Sequence, residues 1–545
     1  MRIPRFVPAA VLAIILSALA GGVFGSNALA RQDEVSQQYR VFTTALAAIE
    51  REYVDEVPSD RLVYGAIDGM LHTLDPHSSF FDPKAYAQMR ERQEGHYYGL
   101  GITIQAIDGD ITVMSIFEGS PAYKNGLRRR DILAKVRDEK GNDLDMKGWT
   151  TDQAVKKLKG PKGTVVNISI KRPGYEGLIN MDVVRDEVNI TTVQAAFMVD
   201  KETGYVKLDQ FTETSDRELG DALHKLSAAG MKRLVFDLRE NPGGALDQAI
   251  RIVNRFIPKG DMIVYTRGRV PNANQDYRAT EDSDYTHLPV VTLVNRNSAS
   301  ASEIVSGALQ DHDRALIVGE TTFGKALVQS VYPISEGAGV AVTTGRYYTP
   351  SGRLIQRPWD AAFDEYLTYT LREQTAPREH KAADLKYTDA GRKVYSGGGI
   401  EPDKFVVGAS YEGFNPTRFG RLLFAKEFAN FADLYVAEGD TRLSAANKNK
   451  KPIARGFAVT DAMLKEFRDF LATRKVTIDE DSFAKDAVFI RAMIHFEIDR
   501  ALFGMDEARK NLIAKDPQAQ FALGQFGEAE NLLALSSTHA ARKGM

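Results

Sequence analysis

The chain has 545 residues, enough for about three domains of ordinary size. Its 43% apolar and 26% charged residues suit a soluble globular protein, and a net charge of −3 with no long basic run gives nucleic acid no footing. Cysteine is absent, which excludes disulfides, thiolate catalysis and thiolate-ligated zinc.

The N-terminus opens with two arginines in MRIPRF, runs through the apolar VPAAVLAIILSALAGGVFG and ends on small residues. Ala28-Leu29-Ala30 has the A-x-A form of a signal-peptide cleavage site. Residues 1–30 are expected to export the protein. The apolar run also approaches the ~20 residues of an uncleaved membrane anchor. Both readings place the rest of the chain in the periplasm or on the outer face of the inner membrane, with membrane contact only through this segment.

Within 31–95, Val35, Tyr39, Phe42, Leu46, Ile49 and Tyr53 recur at spacings of four and three. They form one stripe on a helix, which predicts core packing, or alternatively a helix–helix seam in a homodimer. A second helix is predicted from Ser59 to about Leu74, ended by the turn LDPHSSFFDP. Over 96–172 the pattern changes to short strands: GITIQAIDGDITVMSIF alternates and turns at Asp108-Gly109-Asp110, a hairpin signal. A short helix at Thr151–Leu158 and the strand TVVNISIKRPG close this small β-rich domain.

From 173 to 407 strands and helices alternate: GYVKLDQF, a helix near Ser215–Ala229, RLVFDLR, a helix after Gly244, PVVTLVN, a helix from Ser300 and RALIVGE. Such alternation predicts an α/β sheet with helical layers. Residues 408–545 read as amphipathic helices with a polar linker at 438–455. This extension is expected to cap the core, form a dimer surface or recruit an adaptor protein. The whole is a multidomain α+β protein.

Chemistry concentrates at Asn297–Ile304, NSASASEI, where an apolar strand meets a helix. Ser300-x-x-Glu303 fits a capping box, a purely structural role. The same junction also suits a nucleophile, exposed above a sheet beside free helix N–H groups. Alternation does not distinguish Ser298, Ser300 and Ser302, which share a face if extended. His312 lies twelve residues along the same predicted helix, about 18 Å away, and is out of reach as a base. Lys325, in GETTFGKALVQ at the head of an apolar strand, is the better candidate. Lysine normally titrates near 10.4, but desolvation lowers it toward neutrality, as a serine–lysine pair needs. Another spacing, Ser482-Phe-Ala-Lys485, lacks the S-D-N and K-T-G partners of penicillin-binding enzymes and is set aside.

SASASEI, GETTFGKALVQ, DLRENPGG and YYGLGI together resemble the carboxyl-terminal processing peptidases, or tail-specific proteases, over about residues 35–407. YVDEV…AIDGMLHTLDPHSSFF, TGRYYTPSGRLIQ and GGGIEPD extend the match in the same order. The resemblance implies a PDZ domain at 96–172 and a serine protease core with a ClpP/crotonase-like layered sheet at 173–407. It implies Ser300 as nucleophile, Lys325 as its base and Gln329 as the residue orienting that base. The oxyanion would be held by backbone N–H groups of Ala301 and of Gly243 or Gly244, a choice left open. Lys325 and Gln329 are about 13 Å apart in extended chain, so the strand must bend or both side chains reach inward. The family usually has glycine after the lysine; this chain has Ala326, whose methyl is expected to narrow the approach to Lys325.

Tyr98, Gly99, Leu100, Gly101 and Ile102 would form the PDZ carboxylate loop. A protein or peptide tail would add as a strand beside GITIQAI. The resemblance calls for no cofactor and no metal. A catalytically silent PDZ scaffold, binding C-termini or regulating another protease, is the alternative. The presence of Ser300, Lys325 and Gln329 favours an exported endopeptidase acting through an acyl-enzyme.

Overall fold

The computed structural model describes residues 35–543 except 118, 173–174, 360–362, 373, 375, 407–413, 425 and 440–452. The expected leader at 1–30 and most of the polar linker at 438–455 lie outside the described residues. The chain divides into two compact units, one of residues 1–86 and 330–343 and one of 87–329 and 344–545.

In the first unit, a helix over 35–52 is followed by Ser59–His72. The turn predicted after the second helix is closed by Asp75, whose carboxylate accepts from His77 N, Ser78 N and Ser78 Oγ at 2.8 Å each. It delivers the strand Ser79–Phe81 to an antiparallel pairing with Gly339–Ala341. The apolar stripe of the first helix is not buried as expected: Tyr39 is 69% exposed, Tyr53 57% and Val35 49%. Periodicity reports that a helix has an apolar face, not that the described residues cover it.

In the second unit the small β domain has the predicted hairpin, Ile102–Ile107 with Asp110–Ile116. Its two turn residues, Asp108 and Gly109, both have positive φ, as a two-residue hairpin turn requires. Ile132–Arg137 and Val165–Lys171 continue the sheet, and Thr151–Leu158 forms as predicted under a Thr150–Gln153 capping box. The sheet runs past the expected end at 172. Ile179–Val184 pairs along Val165–Lys171, and Asp186–Asn189 pairs with His96–Gly99. Ile179–Val184 alternates, with Ile179, Met181 and Val183 turned to the domain core and Asn180 and Asp182 outward, a period-two signal that the expected boundary at 172 leaves out.

The core is a six-stranded sheet in the order Val193–Met198, Thr203–Leu208, Arg233–Asp237, Val290–Val294, Ala315–Gly319, Lys404–Phe405. The first pair is antiparallel and the remainder parallel. Strand residues alternate between two faces. Val206, Leu234, Phe236, Val290 and Ile317 join helices Ser215–Ala228, Leu246–Asn254 and Ala301–Asp311. Tyr205, Val235, Val291, Leu316 and Val318 face the other way. There they meet Ala519, Ala522, Phe526 and Ala529 of the C-terminal helices Pro517–Leu523 and Phe526–Lys543. The extension thus caps the sheet, one of the three roles expected for it. Its earlier helices hold a separate aromatic core in which Phe467 packs on Phe428 and Phe431 at 5.4 and 5.1 Å.

Candidate active site

Three serines that look alike in sequence are separated by the fold. Ser298 is buried, donating to Leu238 O at 2.8 Å and accepting from Asn295 N at 2.9 Å. Ser302 lies inside the helix and donates to Asn241 O at 2.9 Å. Only Ser300 is half-exposed, at the N-cap of Ala301–Asp311 with φ 55° and ψ −111°. A non-glycine residue in that region costs about 1–3 kcal/mol and persists only where its surroundings impose it. Ala299 N donates to Asn241 O at 3.0 Å, so the serine junction is fastened to the DLRENPGG turn from both sides of Ser300.

Glu303 does more than a helix cap. Its buried carboxylate receives Ser300 N at 2.8 Å and Lys325 N at 2.9 Å on the same oxygen. The other oxygen receives Thr322 Oγ1, and Gly324 N at 2.7 Å. Burial pushes its pKa up to about 7 despite these donors. Glu303 N donates to the Ser300 carbonyl oxygen at 2.8 Å. A second peg is Tyr347, buried, whose hydroxyl oxygen lies 3.1 Å from Ser300 O and 2.7 Å from Lys325 O. Two side chains from different elements therefore fix the backbones of Ser300 and Lys325 against each other. Neither was legible as functional. Glu303 reads as a cap, and Tyr347 sits in a matched motif with no role attached.

Lys325 is half-buried, and its Nζ donates to Gln329 Oε1 at 3.0 Å. The 13 Å of an extended chain does not apply, because the strand begins only at Leu327. The methyl of Ala326 is fully buried in the core cluster, so the expected crowding of Lys325 is corrected: the methyl packs inward. His312 ends the helix, with ring nitrogens 2.8 Å from Asp389 Oδ2 and 2.6 Å from Met262 O, and is engaged there.

Gly243 and Gly244 have φ of 98° and 144°. A Cβ on Gly243 would stand 2.8 Å from Ser300 Cβ and 2.9 Å from Ala301 N, so this turn lies directly against the serine. Gly243 N donates to Asn241 Oδ1 at 2.9 Å, whereas Gly244 N and Ala301 N make no such bond among the described residues.

The small domain carries a groove of about 340 Å³ between Ile102–Ile107 and Thr151–Leu158, lined by Leu100, Gly101, Ile102, Ile104, Val155 and Leu158. Tyr97 lines it rather than Tyr98, which is 41% exposed, and Gly99 stands outside the lining. Alternation along His96–Gly99 turns the two tyrosines to opposite sides. Gly101 has φ 78°, and a Cβ there would lie 2.2 Å from Ser120 Cβ. Gly101→Ala should therefore distort the loop by about 1–3 kcal/mol. It is expected to raise KM for a tail-bearing protein on the order of tenfold, with turnover of a small acyl ester unchanged. Equal loss on both substrates in a steady-state assay would contradict that division.

The sequence model of peptidase family S41 matches residues 202–359, that of a PDZ domain 88–171, and that of the activating protease CtpB N-terminal domain 24–85. A carboxy-terminal-processing protease of Bartonella bacilliformis is 34% identical over 410 residues, 74% of this chain and 90% of its own length. The carboxy-terminal processing protease CtpA of Bacillus subtilis is 32% identical over 391 residues, 71% of this chain and 80% of that protein. With relatives matched over most of their lengths, the chain belongs to peptidase family S41, as a serine-type carboxy-terminal processing protease with a PDZ domain.

Proposed function

We propose that this protease cleaves peptide bonds through a Ser300–Lys325 dyad. The observation that carries the reading is the single Glu303 oxygen that accepts both Ser300 N and Lys325 N, joining two residues distant in sequence. Lys325, uncharged, takes the Ser300 proton as Oγ attacks the scissile carbonyl carbon. The resulting oxyanion is met by Ala301 N–H and Gly244 N–H, since Gly243 N–H is already given to Asn241. Such preorganised donors contribute about 3 kcal/mol each. As the tetrahedral adduct collapses, the C–N bond breaks and the Lys325 ammonium gives its proton to the departing amine. Water, deprotonated by Lys325, then hydrolyses the acyl-enzyme and frees Ser300. Gln329 Oε1, accepting from Nζ, aims the amine.

Substrates are protein or peptide C-termini laid in the PDZ groove as an added strand, with the terminal carboxylate on the N–H groups around Leu100–Ile102. The N-terminal segment directs export to the periplasm or the outer face of the inner membrane. The uncovered stripe at Val35–Tyr53 forms a seam with a second copy. A fluorophosphonate probe should label Ser300, as read by peptide mass spectrometry, and labelling should vanish in Lys325→Ala. Labelling at any other residue would sink the assignment.

A further inference from the structure

Four charged groups lie buried beneath the turn that leads to Gly243 and Gly244, and the dyad uses none of them. Asp237 closes the strand Arg233–Asp237. Arg239 donates to it from Nε at 3.0 Å, from Nη2 at 2.6 Å and from its backbone N at 2.9 Å. Tyr205 donates its hydroxyl to Asp237 Oδ2 at 2.7 Å, and Lys207 Nζ donates to the Arg239 carbonyl oxygen at 2.8 Å. The remaining edge of the guanidinium belongs to the C-terminal extension. Nη1 lies 2.7 Å from Asp516 Oδ2 and 3.1 Å from Gln518 Oε1, a residue 279 positions further along the chain. Asp516 is itself fixed, its Oδ1 accepting Gln518 N at 2.9 Å and Ala519 N at 3.2 Å as the cap of Pro517–Leu523. Asp237, Arg239, Asp516 and Lys207 are each less than 9% exposed.

Asp237 and Asp516 flank the Arg239 guanidinium, and Lys207 has its own carboxylate in the part-exposed Asp209, 3.3 Å from Nζ, so each buried cation is paired. Removing Asp516 would leave one edge of the buried guanidinium without its carboxylate. The position matters because the chain from Arg239 to Gly244 takes an unusual path, with positive φ at Gly243 and Gly244, which glycine allows, and at Glu240, where a side chain makes it strained. It keeps that shape only through its anchors. Asn241 Nδ2 holds the middle by donating to Leu208 O at 2.8 Å, and Ala245 N holds the end by donating to Phe211 O at 2.9 Å. Arg239 holds the start, and among the described residues its Nη1 edge is closed by Asp516 and Gln518 of the extension.

We propose that the C-terminal extension is a positioning part of the protease: Asp516, aided by Gln518, completes the grip on Arg239 and so fixes where the Gly243–Gly244 turn meets the developing oxyanion. The proposal rests on the Ser300–Lys325 reading above. The matched family segments end at residue 359 and leave this region without a role.

The test uses the full chain and a pair of small acyl substrates, an oxygen ester and its thionoester counterpart. Sulfur accepts hydrogen bonds poorly, so the rate preference for oxygen reports the oxyanion donors. Asp516→Asn is expected to lower kcat about tenfold at unchanged KM, and to shrink the oxygen preference by a similar factor. Asp516→Glu, which keeps the charge, should restore most of that preference. Gln518→Ala removes only a neutral partner and should move both quantities the same way by about twofold to threefold, which secures the test should Asp516→Asn not fold. A lower melting temperature with kcat and oxygen preference unchanged would overturn the proposal and leave the extension as a cover. No oxygen preference in the wild type, together with no fluorophosphonate label on Ser300, would instead overturn the dyad reading and this proposal with it.

Discussion

Replacing Lys325 with alanine is expected to lower peptide-bond turnover about a thousandfold or more without unfolding the chain. A positioned general base contributes about 10²–10⁴ in rate, and an unassisted serine hydroxyl is a poor nucleophile at neutral pH. The fold should survive because Glu303 and Tyr347 hold the Lys325 backbone, through its N–H and carbonyl, independently of the side chain. Ser300→Ala should cost as much, and the double variant no more than either single one, since a nucleophile and its base act as one unit. Lys325→Arg should be equally inactive, because a guanidinium stays protonated and cannot take the serine proton. Steady-state kinetics on a tail-bearing protein, with circular dichroism to verify folding, measures all of this. Near-wild-type turnover in Lys325→Ala would show that some other group accepts the proton.

What was legible in the sequence follows from how local each signal is. The hairpin at Asp108-Gly109 and the helix Thr151–Leu158 rest on neighbouring residues, and both form as read. Motif order along the chain located the serine junction and the lysine turn. Contacts between those motifs were not legible. Nothing in GETTFGK tells that its backbone N–H groups converge on Glu303, nor that the tyrosine of TGRYY lodges between Ser300 O and Lys325 O. The Ala326 methyl was misread for the same reason: its burial is set by the core around it, not by its sequence neighbour. The extension's amphipathic helices read as packing and nothing more, while Asp516 and Gln518 acquire their meaning from Arg239.

Glu303→Gln, a change of one atom, is expected to lower kcat about a hundredfold at pH 8. Four donors converge on this carboxylate, and an ionised carboxylate offers acceptors only. A glutamine must turn its NH2 toward one pair of them. Facing Ser300 N and Lys325 N, it pushes apart the two backbones that the dyad needs together. Facing Thr322 Oγ1 and Gly324 N, it leaves Gly324 N–H buried without an acceptor. Either way the error falls on the reacting geometry, where a displacement of about 1 Å can cost two orders of magnitude. The pH dependence has a definite sign. Burial pushes the Glu303 pKa from 4.5 up to about 7, so between those values the native chain holds a proton that the unfolded chain has released. The stability this group contributes is full below 4.5 and is lost as pH rises through about 7. Activity runs the other way, since protonated Glu303 presents an O–H to a ring of donors. Wild-type kcat should therefore rise as Glu303 ionises near pH 7, while Glu303→Gln, which cannot ionise, lacks that step. Its deficit should widen between pH 6 and 8 in paired pH–rate profiles. Thermal melts over the same range should show the wild type losing more stability with rising pH than the variant. A variant within twofold of wild type at pH 8 would mean that Glu303 caps a helix and does nothing for the dyad.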